Sequence, residues 1–436
     1  MTRQTNPHVR IDRRGFLSVG GISLLGLSLP GLLARESYAA TSNTNQHPAK
    51  NVIMIWLSGG PSTIDMWDLK PAAKKAIRGE FSPISTSADG IEICEHLPQL
   101  AKQMHHCTIV RSLHHTIAEH TQGTEHVMTG NPISPAIQYP SLGSIVSKKL
   151  GASSGMPAYI NASGLDIGQA GYLGSTHNPF VVDGFGPRRG QGRTNEQFNL
   201  ANGFTISDLN RKSELLKKVE RGFRRFDNTR FAAEMTQFQR QAVDILGSGK
   251  TRDALDINKE PKKVVERYGF GPLGRRALAA RRLIQAGVRF VTIGFDGWDT
   301  HSNNFQQLRN QLLPQLDSAV AMLLHDLHER GLLESTVVYC AGEFNRTPII
   351  NPQGGRDHWA RSMSVLLAGG GLQRGLAYGS TDKNGIEPNS HSCSPADINS
   401  TIMNQLGVSP GETLTTNSGR PMQLFKGGSV ITQIIA

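Results

Sequence analysis

Short, nearly continuous apolar runs recur along the chain, and glycine and polar residues follow each one. Val288, Phe290, Val291 and Ile293 form one such run, and after Arg289 no charge appears until Asp296. A run of this kind fits a strand buried on both faces of a parallel sheet. The same pattern predicts strands over 51–58 (NVIMIWLS), 108–113, 158–161, 336–341 (TVVYCA) and 362–368. Between these runs the apolar period lengthens to that of a helix. Leu312, Leu313, Leu316, Val320, Leu323, Leu324 and Leu327 share one face of a helix predicted over 310–330, closed by Gly331. Further helices are predicted over 97–106, 141–150, 274–286 and 395–406, with a strand and a short helix in 419–435. Strands that alternate with helices predict a doubly wound, mostly parallel α/β sheet with right-handed crossovers.

The polar residues after these strands are rich in chemistry. Asp65 follows the first strand; Asp296, Asp299 and His301 follow the run at 288–293; Glu343 and Arg346 follow 336–341; and Asp357 and His358 lie further along that loop. Seven of the fifteen histidines fall between His96 and His126, most of them just after the strand at 108–113. Ligands of open α/β sheets bind outside the carboxyl ends of the strands. Carboxylates and imidazoles gathered there point to one metal or acid–base site. The plainer alternative for the Asp-rich loop is helix capping by Asp299 or Ser302. Gly247-Ser248-Gly249-Lys250-Thr251 imitates the end of a phosphate loop, but Asp244 stands where its first glycine belongs and a predicted helix precedes it.

The ends of the chain and its charge narrow the picture. Arg13-Arg14 precede an apolar run over 19–34 that Gly20, Gly21, Gly26 and Pro30 interrupt, and Ser37-Tyr38-Ala39 offers a cleavage site. This is the pattern of a twin-arginine export signal over 1–39, which places the mature protein in the periplasm or outside the cell, with no membrane span. Residues 40–50 read as a linker and 51–436 as one α/β domain. Within that domain, 162–262 reads as a helical insertion, with glycine-rich sequence followed by charged helices over 207–226 and 231–246. It is either a cover over the functional edge or peripheral packing. Export would permit a disulfide between Cys94 and Cys107. The 436 residues carry a net charge of +11, of which the signal region supplies three. Aromatic residues make up only 6% and do not interleave with Lys or Arg, so nucleic acid is not an expected partner.

Four motifs carry a resemblance: GGPSTIDMWDLKP at 59–71, GWDTH at 297–301, GEFNRTP at 342–348 and GRDHW at 355–359. With them, the chain over about 40–436 resembles domain-of-unknown-function family 1501, exported bacterial proteins of the alkaline phosphatase/sulfatase superfamily. The resemblance implies an alkaline-phosphatase-like fold and metal-assisted phosphoryl or sulfuryl transfer. The superfamily's nucleophile lies nine residues before a Thr-Gly pair. That pair is Thr129-Gly130 here, which puts His120 in the nucleophile's place. Ser58-Gly59 replaces the superfamily's first aspartate, and Glu343-Phe344 replaces its later Asp-His pair. The expectation is one divalent metal, with zinc a candidate, on Asp299, His301 and His358, completed by Glu343 or Asp65. His120 would be nucleophile or acid–base group, and Arg346 or Arg111 would contact the anion. The substrate would be a small anionic ester or glycan. The alternative is a non-catalytic member of the fold that binds an anion, a glycan or a protein.

Overall fold

The predicted alternation of buried strands and helices forms one large sheet. A computed structural model describes residues 48–436 apart from 154, 183–210, 212–248, 270, 417 and 418. The signal region, the linker up to 47 and the helices expected over 207–226 and 231–246 (residue 211 apart) lie outside the described residues. The eight strands of the sheet are β1 (Asn51–Ser58), β2 (Cys107–Leu113), β3 (Tyr159–Asn161), β4 (Phe180–Val181), β5 (Phe290–Asp296), β6 (Thr336–Ala341), β7 (Met363–Ala368) and β8 (Leu376–Tyr378). Their order across the sheet is β8-β2-β7-β6-β1-β5-β3-β4. The chain returns through five main helices: α1 (His120–Thr129), α2 (Leu142–Leu150), α3 (Pro272–Gln285), α4 (Leu313–Glu329) and α5 (Pro395–Gln405).

β1 sits between β5 and β6, parallel to both, with Ile55 opposite Ile293 and Cys340. Its side chains alternate between two cores. Ile53, Ile55 and Leu57 pack in the layer that holds α3 and α4, while Val52, Met54 and Trp56 pack in the layer that holds α2 and α5. Both faces are therefore dry, which is why the run shows no polar alternation. On α4, Leu313, Leu316, Leu323, Leu324 and Leu327 are fully buried. Each such side chain contributes roughly 1.5–3 kcal/mol. The helix predicted over 310–330 is entered through a π-turn at Leu308–Leu312, after which Pro314 occupies the first turn of α4.

One strand departs from the parallel pattern. β7 runs antiparallel to both of its neighbours, β2 and β6. A strand entered in the reverse sense begins at the edge where β6 ends. The connection over 342–362 therefore never leaves that edge, and Glu343, Arg346, Asp357 and His358 all stay there. The carboxyl ends of β1, β2, β5 and β6 meet at the same edge.

The described ends of the 162–262 stretch are built into this body. Phe180–Val181 extends the sheet, and the Glu260 carboxylate is buried against Arg281 and Arg282. The Cys94–Cys107 disulfide that export would permit is not formed. Both thiols are free and buried; Cys107 Sγ is hydrogen-bonded to the Gln103 carbonyl, and burial pushes the Cys94 thiol up to about 12. No helix among the described residues is long and apolar enough to cross a membrane.

Candidate metal centre

Two glycine turns bring the strand ends together. Gly297 (φ +102°) stops β5, Trp298 turns fully inward, and Asp299 is left facing solvent. Gly59 (φ +113°) stops β1 against this turn, and a Cβ there would lie 2.4 Å from the Asp299 backbone nitrogen. Its N–H donates to Glu343 Oε1 at 2.9 Å, and its carbonyl accepts from Arg346. Glycine is required here both for its left-handed backbone and for this close approach. Gly59→Ala is expected to destabilise the protein by about 1–3 kcal/mol and to weaken metal binding, measured by denaturant unfolding and chelator competition.

Four side chains converge beyond these turns. Ligand atoms of His120, Asp299 and His358 all lie within 4.8 Å of one another. His301 Nε2 is 3.0 Å from His358 Nε2 and 3.1 Å from Asp299 Oδ1. His120 Nε2 is 3.5 Å and His358 Nε2 3.3 Å from the same carboxylate. The other nitrogen of each ring is already committed. His120 Nδ1 lies 2.7 Å from Glu343 Oε1, His301 Nδ1 lies 2.7 Å from Asp357 Oδ1, and His358 Nδ1 lies 2.9 Å from the Ala118 carbonyl. All three partners are acceptors, so each neutral ring carries its proton on Nδ1 and turns the Nε2 lone pair inward. Three lone pairs and a carboxylate crowded together repel one another unless a cation lies between them. Ring nitrogens held from behind by a carboxylate or carbonyl are the usual arrangement behind metal-binding histidines. The donor set of three imidazoles and one carboxylate fits a divalent transition metal.

Electrostatics around the centre agree with its geometry. Burial works to raise the Asp299 carboxyl, but the Arg346 guanidinium at 2.5 Å outweighs it and holds the group below the usual range. The hydrogen bond from His301 lowers the Asp357 carboxyl, and the bond to Glu343 raises the His120 imidazole.

Not every expected residue joins the site. Asp65 is not a ligand. It is fully buried, and both its oxygens are taken by Arg356 at 2.8 Å, with further donors from Ser62 and Asn304. Arg346 does not face an incoming anion. It is fully buried and bonded to the Gly59 and Gly60 carbonyls and to Asp299. Arg111 is also committed elsewhere, to the carbonyls of Trp67 and Glu92. His120 stands among the side chains that could hold a metal and makes no contact that would mark it as a nucleophile. Glu343 stands behind His120, while its second oxygen is buried with no hydrogen-bond donor among the described residues. The sequence reading missed the supporting roles of the Ala118 carbonyl and the Gly59 N–H, because backbone groups leave no residue-type signal. Of the remaining histidines in the cluster, His114 and His126 hydrogen-bond to the Cys393 and Asn131 carbonyls.

His115 is buried as a neutral ring. Its Nε2 donates to the Glu343 carbonyl at 2.8 Å, and its Nδ1 accepts from the Ile117 N–H at 3.1 Å. Burial lowers it from 6.5 to about 4. Protonation would set Nδ1–H against the Ile117 N–H. The unfolded chain takes the proton first, so His115's contribution to stability is complete above 6.5 and is lost as pH falls toward 4. Denaturant titrations at pH 7.5 and 4.5 are expected to differ by about 2–3 kcal/mol from this residue, a difference absent in His115→Gln.

A cleft of about 570 Å³ opens beside the centre, lined by His120, Asp299 and Glu343 at one end and reaching Glu125, Gln138, Asp166 and Asp296. Its volume suits a small ligand.

A family model described as a protein of unknown function, DUF1501, matches residues 49–435. The chain belongs to that family. No curated protein matches its sequence. Similar solved structures include a phosphonate monoester hydrolase from Silicibacter pomeroyi, at 10% identity and TM-score 0.36, covering 82% of this chain and 73% of that one. A lipoteichoic acid synthase from Listeria monocytogenes matches at 10% identity and TM-score 0.35, covering 86% and 78%. A sulfatase from Pseudoalteromonas sp. matches at 12% identity and TM-score 0.33, covering 86% and 71%.

Proposed function

We propose that this DUF1501 protein is exported through its twin-arginine signal to the periplasm or beyond. There it holds one divalent metal on His120, Asp299, His301 and His358, in an alkaline-phosphatase/sulfatase-like fold, and hydrolyses a phosphate or sulfate ester. The observation that carries the reading is the inward Nε2 of three histidines whose Nδ1 atoms are all bonded to acceptors. A bound ion, with zinc well suited to an imidazole-rich set, would supply Lewis-acid chemistry, polarising an ester oxygen and acidifying a water.

The chain's own residues have distinct tasks. Arg346 fixes the Asp299 carboxylate, and the Gly59 N–H fixes Glu343 behind His120. The unpartnered Glu343 Oε2 accepts a proton from the attacking water. The water oxygen bonds to phosphorus or sulfur, the bond to the ester oxygen breaks, and the proton passes on to the leaving alcohol. No covalent enzyme intermediate is required, which suits a centre whose nucleophile position is His120.

A second reading, a non-catalytic binding protein, is favoured by one observation. Among the described residues, no hydroxyl or thiol is hydrogen-bonded to the three imidazoles. Elemental mass spectrometry of the mature protein, followed by an ester screen, separates the two. About one metal per chain with turnover supports the hydrolase; metal without turnover of any phosphate or sulfate ester supports the binding protein. No metal even after reconstitution would sink both forms of the metal centre.

A further inference from the structure

The walls of the cleft say more about its ligand than the centre does. Five carboxylates line it, Glu125, Asp166, Asp296, Asp299 and Glu343, and no Lys or Arg does so among the described residues. The whole chain carries +11, so this lining runs against its composition. The arginines that an anion would need are bound to backbone carbonyls, Arg346 to Gly60 and Arg111 to Trp67. The carboxylates of Glu125 and Asp296 accept no hydrogen bond from any described residue. Independently, the Glu343 side chain is 2% exposed and contributes to the cleft wall, yet its Oε2 has no donor among the described residues. A buried carboxylate oxygen without a donor is costly, so the site is short of a hydrogen-bond donor that the described residues do not provide.

From this we infer that the cleft takes a ligand bearing a protonated amine, held by Glu125 and Asp296, with hydroxyl groups meeting Gln138 and Tyr139. The inference rests on the proposed hydrolase reading for what lies at the metal: the ester end sits there, and the ammonium end lies along the acidic wall. Substrates of this class are zwitterionic esters, such as those of amino sugars or amino alcohols. A purely anionic ester meets like charge along the cleft wall that the described residues form.

The test uses the full mature protein and three matched glucosamine tetrasaccharides: one with free amines, one N-acetylated and one N-sulfated. Binding is measured by calorimetry at about pH 6, with and without bound zinc. The free-amine form is expected to bind at least roughly tenfold tighter than the acetylated form, with the sulfated form weakest. The advantage is expected to shrink with added salt and to vanish in the double variant Glu125→Gln/Asp296→Asn. Both positions lie away from the buried core, so that variant is expected to fold. A preference that persists in zinc-free protein supports the cleft assignment even where the metal reading fails. Equal or tighter binding of the sulfated form, no binding of any of the three, or a preference that the double variant retains would overturn the assignment while leaving the metal reading standing.

Discussion

His358→Ala is expected to lower metal affinity by about 100-fold or more, because loss of a supporting contact alone costs 10–100-fold. The protein is expected to stay folded. His358 is only partly buried, and besides the centre its ring meets Phe344 at 4.5 Å and the Ala118 carbonyl. Its removal leaves no orphaned charge in the core. In the metal-free protein the same change relieves the crowding of Nε2 lone pairs, so the apo variant is expected to melt no lower than the apo parent. His301→Ala is expected to behave likewise. Asp357→Asn, which weakens the acceptor shared by His301 and the Asn351 amide, is expected to lose 10–100-fold. Chelator competition with zinc gives the affinities, and calorimetric melting of metal-free protein gives the stability. Parent-like affinity in both histidine variants would remove the centre from consideration.

These residues show where sequence reasoning succeeds and where it stops. The strands were legible because burial on both faces leaves a run such as NVIMIWLS no alternative pattern. That the polar residues after several strands would gather at one edge was legible too, since parallel strands send their following loops to that edge. Asp299, His301 and His358 stood out as carboxylate and imidazole on such loops. Asp65 looked equivalent, also an aspartate after a strand and a glycine turn. Its role is set by Arg356, 291 positions away, a pairing that local spacing does not encode. The roles of Arg346 and Arg111 were misjudged for the same reason. An arginine near a strand end serves an anion or a backbone carbonyl according to its burial, and burial follows from packing. The antiparallel sense of β7 was equally hidden, because an apolar run buried on both faces reads the same in either direction.

Arg356→Met is expected to destabilise the protein by about 3–5 kcal/mol, the cost of leaving one member of a buried ion pair without its partner. Arg356 and Asp65 are 0% and 1% exposed. The guanidinium holds both Asp65 oxygens at 2.8 Å and also donates to the carbonyls of Ile77 at 2.7 Å and Thr347 at 3.0 Å. Its removal strands a carboxylate and at least two carbonyls. Asp65 in turn accepts from Asn304, whose side chain takes the Thr300 hydroxyl, and the Arg356 N–H donates to the Thr300 carbonyl. The pair therefore ties the loop of Asp299 and His301 to the loop of Asp357 and His358. Metal affinity is expected to fall with stability, although neither residue reaches the metal. The double variant Arg356→Met/Asp65→Leu removes both charges and is expected to recover much of the lost stability, since an apolar pair replaces a buried ion pair at little cost. It is not expected to recover metal affinity, because an apolar contact does not set the angle between the two loops. Denaturant unfolding of the two variants, paired with zinc titration, separates these effects. Recovery of both quantities together would mean that the pair serves stability alone.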